Sequence, residues 1–207
     1  MYGLYKSIDA AAFAWGRVFA KIGNKDSEEY SAEIYQVLIG NDIYYGFTRA
    51  VKFSGEASET HSPGPYNKFH VLPKGITNEN VVGVIHIHYV GSDGVNVNFS
   101  EEDKGNWADY SHLTHYLINK DGDLRVHRPK GYNEDEDQPT IGLNFYRYRS
   151  VTYTENINGV RYTYDGEIPV PVHKHAVPGF AYTRSFPVYY IDPSSGAIYD
   201  LNKNQLK

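Results

Sequence analysis

The stretch "NVVGVIHIHYV", residues 80 to 90, limits the fold more than any other part of the chain. It is apolar at almost every position and rich in β-branched residues, the pattern of a strand buried on both faces in a sheet interior. Two histidines interrupt it one residue apart. Side chains two apart on a strand share a face, so His86 and His88 project together while Ile87 turns into the opposite layer. A chain built around this strand needs a covered central sheet and must put two imidazoles into one of its covering layers.

The surrounding segments predict what does the covering. Ala11, Ala14, Trp15, Val18 and Ile22 recur at helical spacing, with Ser7 or Asp9 placed to cap the start and Gly23-Asn24 to end a helix over residues 7 to 22. "EEYSAEIYQVLIGNDIYYGFTRAV" predicts a hairpin about Gly40-Asn41-Asp42. A loop rich in Ser, Gly and Pro, "FSGEASETHSPGPYNK", leads to the short segment "FHVLP" and then to the histidine strand. "SEEDKGNWADYSH" predicts a helix with an acidic first turn, and "LTHYLINKDGDLRVHRP" two strands about Asp121-Gly122. The expected fold is α+β, close to an α/β sandwich, with a mixed central sheet flanked by helices. Residues 1 to 132 would form its core. Residues 133 to 207 would form a β-rich, Tyr-rich extension or a small subdomain packed on that core, with a hairpin turning at Asn158-Gly159.

Composition narrows the chemistry. With no cysteine among 207 residues, disulfides, thiolate zinc sites and cysteine nucleophiles are excluded, and histidine and carboxylate are left as transition-metal ligands. A net charge of −5, with lysines and arginines scattered, lacks the basic stripe of a nucleic-acid binder, so a protein or small-molecule target is expected. No basic region precedes an apolar core at the N-terminus, and no run of about 18 uncharged apolar residues occurs. The expectation is a soluble chain with no membrane span and no signal peptide of its own. Gly-x-Ser-x-Gly, phosphate-binding glycine loops and the His-x-Glu with paired cysteines of zinc deaminases are all missing.

Two imidazoles on one side of a strand can grip one ion. A nearby oxygen ligand would complete a three-ligand zinc site that keeps its fourth position for water, and Asp103 supplies one if the loop after His88 folds back. Ser100-x-x-Asp103 also has a simpler reading, a serine N-cap with an acid three residues on, which needs no catalysis. Likewise, His86 and His88 alone could be half-buried strand residues.

Taken in order, a glutamate, then His86-x-His88 at a strand end, then Ser100-x-x-Asp103 resembles the signature of the JAMM (MPN/JAB) metalloprotease superfamily. More closely, "YKSIDAAAFAWGRVF", "EEYSAEIYQ", "GVIHIHYV", "FSEEDKGNWADY" and "LINKDGDLRVHRP" resemble a JAB-like domain family found at the C-terminal ends of bacterial Rhs-type polymorphic toxins, over roughly residues 4 to 129. Here Tyr89 stands where a proline commonly follows the second histidine, eleven residues separate His88 from Ser100, and Ser31-Ala32 replaces a glycine pair. The resemblance implies a JAMM-like core with His86, His88 and Asp103 as zinc ligands. It implies Glu29 as general base, with Glu28 and Glu33 as nearby alternatives, and Ser100 as donor to the oxyanion. The activity implied is zinc-dependent hydrolysis of a peptide or isopeptide bond, by a toxin or effector domain delivered from a bacterial cell as part of a larger secreted protein. A protein substrate and a cognate immunity protein would be its partners. A non-catalytic binding or processing module and a metal-dependent nuclease toxin are the alternatives.

Five other features stand outside that constellation. His112 and His115 could orient a ligand from behind, though surface or edge positions are the favoured reading. His173 and His175, among prolines, fit an exposed loop, and His61 and His70 have no partner that the sequence can name. The run "NEDEDQP", residues 133 to 139, fits a solvated loop. Twenty tyrosines, clustered after residue 140, fit half-exposed strands or a surface for a partner.

Overall fold

A computed structural model describes residues 1–26, 29–53, 65–66, 69–88, 99–119, 122–128, 140–157, 160–171 and 186–206. In chain order the elements are β1 (Tyr2–Leu4), α1 (Ile8–Asp26), β2 (Glu29–Ile39), β3 (Asp42–Phe47), β4 (Val51–Phe53), a 3₁₀ turn (Asn78–Asn80), β5 (Val81–Ile87), α2 (Glu101–Asp109), β6 (Thr114–Ile118), β7 (Asp123–His127), β8 (Thr140–Ile157), β9 (Val160–Pro171), β10 (Tyr189–Ile191) and β11 (Ile198–Tyr199). Strands dominate and helices are few, an α+β chain at the coarse level.

The larger sheet runs β3-β2-β5-β6-β7-β8-β9, with β4 also paired to β2. It is mixed: β5 and β6 pair in parallel, and the other pairs are antiparallel. The parallel pair forces a crossover, because strands running the same way cannot be joined by a tight turn. α2 is the helix of that crossover, so its N-terminal turn follows the carboxyl end of β5. In open α/β arrangements that is where ligands gather.

The two faces of this sheet carry different residues. Ala32, Ile34, Ile85, Ile87, Tyr116, Ile118, Leu124 and Val126 point to one side and pack with Phe13 and Trp15 of α1 in the main core. Opposite them, the register aligns Ser31 with His86, His86 with Leu117 and Leu117 with Arg125. One step along, it aligns Glu33 with Val84, Val84 with His115 and His115 with His127. A period of two therefore sends the apolar set to α1 and a polar set to the face that α2 approaches.

Ser7 caps α1 by accepting the Ala10 N–H at 3.1 Å, as its sequence position predicts. The helix continues past Gly23-Asn24 to Asp26, longer than expected. Residues 10 to 15 are buried at every position, whereas Val18 and Ile22 stay exposed. Enclosure of the first half of the helix, against β2, β3, β5, β6 and β8, sets its burial rather than a single apolar stripe. The hairpin about Gly40 forms as expected, with Gly40 at φ 62, a left-handed conformation that costs glycine little. "FHVLP" forms no strand.

Residues beyond 133 join both sheets. β8 pairs with β7 and extends the larger one, and β8 and β9 flank the predicted Asn158-Gly159 turn. Tyr189–Ile191 pairs with Tyr2–Leu4, and Ile191 packs with Leu4, Tyr35, Val37 and Tyr44 in a second apolar cluster. The acidic run 133 to 139, His61, His173 and His175 lie outside the described residues.

Candidate metal centre

The site is built where β5 ends and α2 begins. His86 lies inside β5, and the His88 N–H continues the strand pairing by donating to the Ile118 carbonyl at 2.8 Å. Both imidazoles are thereby fixed at the carboxyl end of an interior strand. Leu117, level with His86 on β6, packs with Phe99 just before α2, and the Phe99 ring meets the His86 ring edge-on at 6.2 Å. These apolar neighbours keep water from the inner side of the site.

Asp103 is aimed by the cap of its own helix. The Ser100 Oγ accepts the Asp103 N–H at 3.1 Å, and the Asp103 Oδ2 accepts the Ser100 N–H at 2.7 Å and the Ser100 O–H at 2.8 Å. This is a capping box with aspartate in the acidic position. It fixes the carboxylate rotamer, and the same carboxylate reaches the histidines. Oδ1 lies 3.2 Å from His86 Nε2, and Oδ2 lies 3.5 Å from His88 Nε2. The simple and the functional readings of Ser100-x-x-Asp103 thus describe one arrangement.

The two Nε2 atoms stand 3.2 Å apart. One ligand atom from each of the three residues lies within 4.8 Å of the other two, and the separations of 3.2 Å between the Nε2 atoms and 3.2 Å from His86 Nε2 to Oδ1 come close to the roughly 3.3–3.6 Å between donors about a tetrahedral ion with bonds of about 2.0–2.2 Å. All three residues are buried, at 5%, 5% and 6% exposure. Two imidazole nitrogens and a carboxylate cannot face one another in a dry site without a cation or proton between them. Among the described residues, this is the group of histidine, aspartate and glutamate side chains able to hold a metal ion. The donor set fits zinc and other divalent ions that accept nitrogen and oxygen.

Electrostatics point the same way. Burial would raise the Asp103 carboxyl, but attraction and hydrogen bonding from His86, then from His88, outweigh it and hold the group well below the usual carboxylate range. Asp103 is an anion at any working pH, as a metal ligand must be.

The other expected site residues fall on the same face. Glu29 is half-buried at the start of β2. Ser31 pairs with His86, so the same register carried two residues further would set Glu29 opposite His88. Glu33, one of the alternatives, is engaged elsewhere: its Oε1 accepts the Tyr66 N–H and faces His70 Nδ1 at 3.5 Å. Glu28 lies outside the described residues.

His115 is not at the surface or an edge, as one reading of the sequence allowed. It is buried on β6, level with Val84 and beside His127, the rings 6.2 Å apart. Burial, more than the nearby imidazoles, pushes it down to about 4, against partial support from the Tyr110 carbonyl. It is neutral at pH 7. His112 is exposed and bonds the Tyr66 hydroxyl at 2.8 Å.

Sequence reasoning missed Ser31 and His70. Ser31 Oγ and His70 Nε2 are 2.8 Å apart, and both side chains are buried. The alternation Glu29, Ser31, Glu33 could have revealed one polar face of β2, since these are every second residue of a strand. Nothing local could place His70, which arrives on an irregular segment 39 residues away. No family model, no curated protein and no solved structure matches the chain.

Proposed function

We propose that the chain is a zinc-dependent hydrolase of amide bonds, peptide or isopeptide, of the JAMM type. The observation that carries this reading is the convergence of His86, His88 and Asp103, all buried, with one ligand atom of each within 4.8 Å of the other two. Three protein ligands leave one position of a zinc ion open, the pattern of catalytic rather than structural sites.

When bound, zinc would polarise a substrate carbonyl and bring the pKa of a water to about 7. Each protein group then has one task. His86 and His88 bind through Nε2, held in orientation by the strand. Asp103 binds through its carboxylate, oriented by the Ser100 cap. Glu29, on the adjacent strand, takes the proton of the attacking water on its carboxylate and delivers it to the leaving amine. Ser100 swings its O–H from Asp103 to the developing oxyanion. Such a donor is worth about 3 kcal/mol of transition-state stabilisation, judged from losses of about 10²–10³ when one is removed. Phe99 and Leu117 exclude water behind the ligands.

The resemblance supports the biological half of the reading. The chain would be a bacterial toxin or effector domain, delivered as part of a larger protein, acting on a protein substrate and restrained by an immunity protein.

Glu29→Gln separates chemistry from binding. Protein carrying it should keep its zinc and lose amide hydrolysis by at least about 10²-fold, while His86→Ala should lose both. Full hydrolysis by Glu29→Gln would remove Glu29 as the general base, and absence of hydrolysis by zinc-loaded wild type would leave a metal-binding module.

A further inference from the structure

Beside the metal ligands lies a second constellation that the proposed hydrolysis does not use. Ser31 and Glu33 are two residues apart on β2 and project from the same face, and His70 lies astride them. Its Nε2 is 2.8 Å from Ser31 Oγ and its Nδ1 is 3.5 Å from Glu33 Oε1. Exposures of 1% for Ser31, 7% for His70 and 1% for Glu33 make all three part of the interior. Nε2 stands at hydrogen-bond distance from the Ser31 hydroxyl, while Nδ1 makes no hydrogen bond and meets the Glu33 carboxylate only as a charge contact. Glu33 is held in turn by the Tyr66 N–H. Tyr66 adopts φ 61 there, a left-handed conformation that is costly for a residue with a large side chain.

Serine, imidazole and carboxylate therefore stand in the order found in serine hydrolases, with the nucleophile at Nε2 and the acid on the side of Nδ1. We propose that Ser31, His70 and Glu33 form a second nucleophilic centre, independent of metal, that takes acyl esters or amides of small molecules. Ser31 Oγ attacks the acyl carbon as its proton passes to His70 Nε2. The bond from carbon to the leaving alcohol or amine breaks, and His70 returns the proton to that leaving group. Water then releases the acid by the same path, restoring Ser31. Glu33 is a positioning residue whose carboxylate faces Nδ1 as the imidazole takes up charge. Ser31 is the cross-strand partner of His86, which places the pair next to the candidate metal centre.

The test is covalent labelling with an alkyl fluorophosphonate, read by intact mass and peptide mapping on full-length, chelator-treated protein. Ser31 Oγ should displace fluoride and gain one phosphonyl group. The rate should fall at least tenfold in His70→Asn and more modestly in Glu33→Gln, with thermal unfolding checked for each. Ser31→Ala should take up no label. Ser31 left unmodified in folded wild type, or modified as fast in His70→Asn, overturns the proposal. Since zinc is removed beforehand, the outcome is separate from the fate of the metal centre, which zinc content decides.

Discussion

Asp103 meets its neighbours on two sides: Ser100 fixes its rotamer, and His86 and His88 hold its charge. Ser100→Ala removes two of the bonds that aim it. We expect a loss of about 1 kcal/mol of stability from the cap and a zinc affinity lower by about 10–100-fold, measured by denaturant unfolding of the apo protein and by competition with a chromophoric chelator. His115 gives a pH signature. Its folded value of about 4 lies below the ordinary 6.5, so the unfolded chain binds the proton first. The stability this withholds is fully present above pH 6.5 and is lost as pH falls toward 4, by about 3 kcal/mol. His115→Gln should flatten that part of the stability curve in apo protein, whereas the contribution of Asp103 is lost only at lower pH. The sequence placed His86, His88, Ser100 and Asp103 because each sits in a short local pattern, and the structure brings these four together. It left His70 without a partner because pairing across 39 residues depends on the path of the chain.

Period and turn chemistry made several elements legible: the first helix, the hairpin about Gly40, the strand of the two histidines, and the pair about Gly122 all form. The end of α1 was misjudged because a glycine inside a helix costs only about 1 kcal/mol, less than the rest of the helix can offset. The parallel pairing of β5 with β6 was not foreseen, although it carries Asp103 over the histidines. Gly83 allows that pairing. A Cβ at this position would sit 2.7 Å from the Thr114 carbonyl oxygen and 3.2 Å from Ile8 Cδ1. Gly83→Ala should therefore destabilise the protein by about 1–3 kcal/mol and weaken zinc binding through a shifted β5, as seen in chemical denaturation and metal titration.

Across the whole molecule, one sheet face is apolar and packed on α1, while the other collects Ser31, Glu33, His86, His115, Arg125 and His127. Burying that many polar groups is costly unless they pair or hold a ligand, and the candidate metal centre lies among them. Residues from both ends of the chain support the frame, because Ile191 on β10 packs with Leu4, Tyr35, Val37 and Tyr44. Ile191→Ala should cost about 2–5 kcal/mol in equilibrium unfolding without changing zinc stoichiometry, since it is remote from the ligands. The tyrosines of β8 and β9 were legible as strand formers, but alternation alone does not say what a strand's outer face meets.

The central claim is that His86, His88 and Asp103 hold one metal ion. Zinc content of tag-free protein, measured by plasma mass spectrometry after equilibration with zinc and gel filtration, tests it most directly. The account predicts close to one zinc per wild-type chain and almost none in the folded His86→Ala/His88→Ala double variant. A wild type that retains no zinc, or a double variant that retains it fully, would contradict the account.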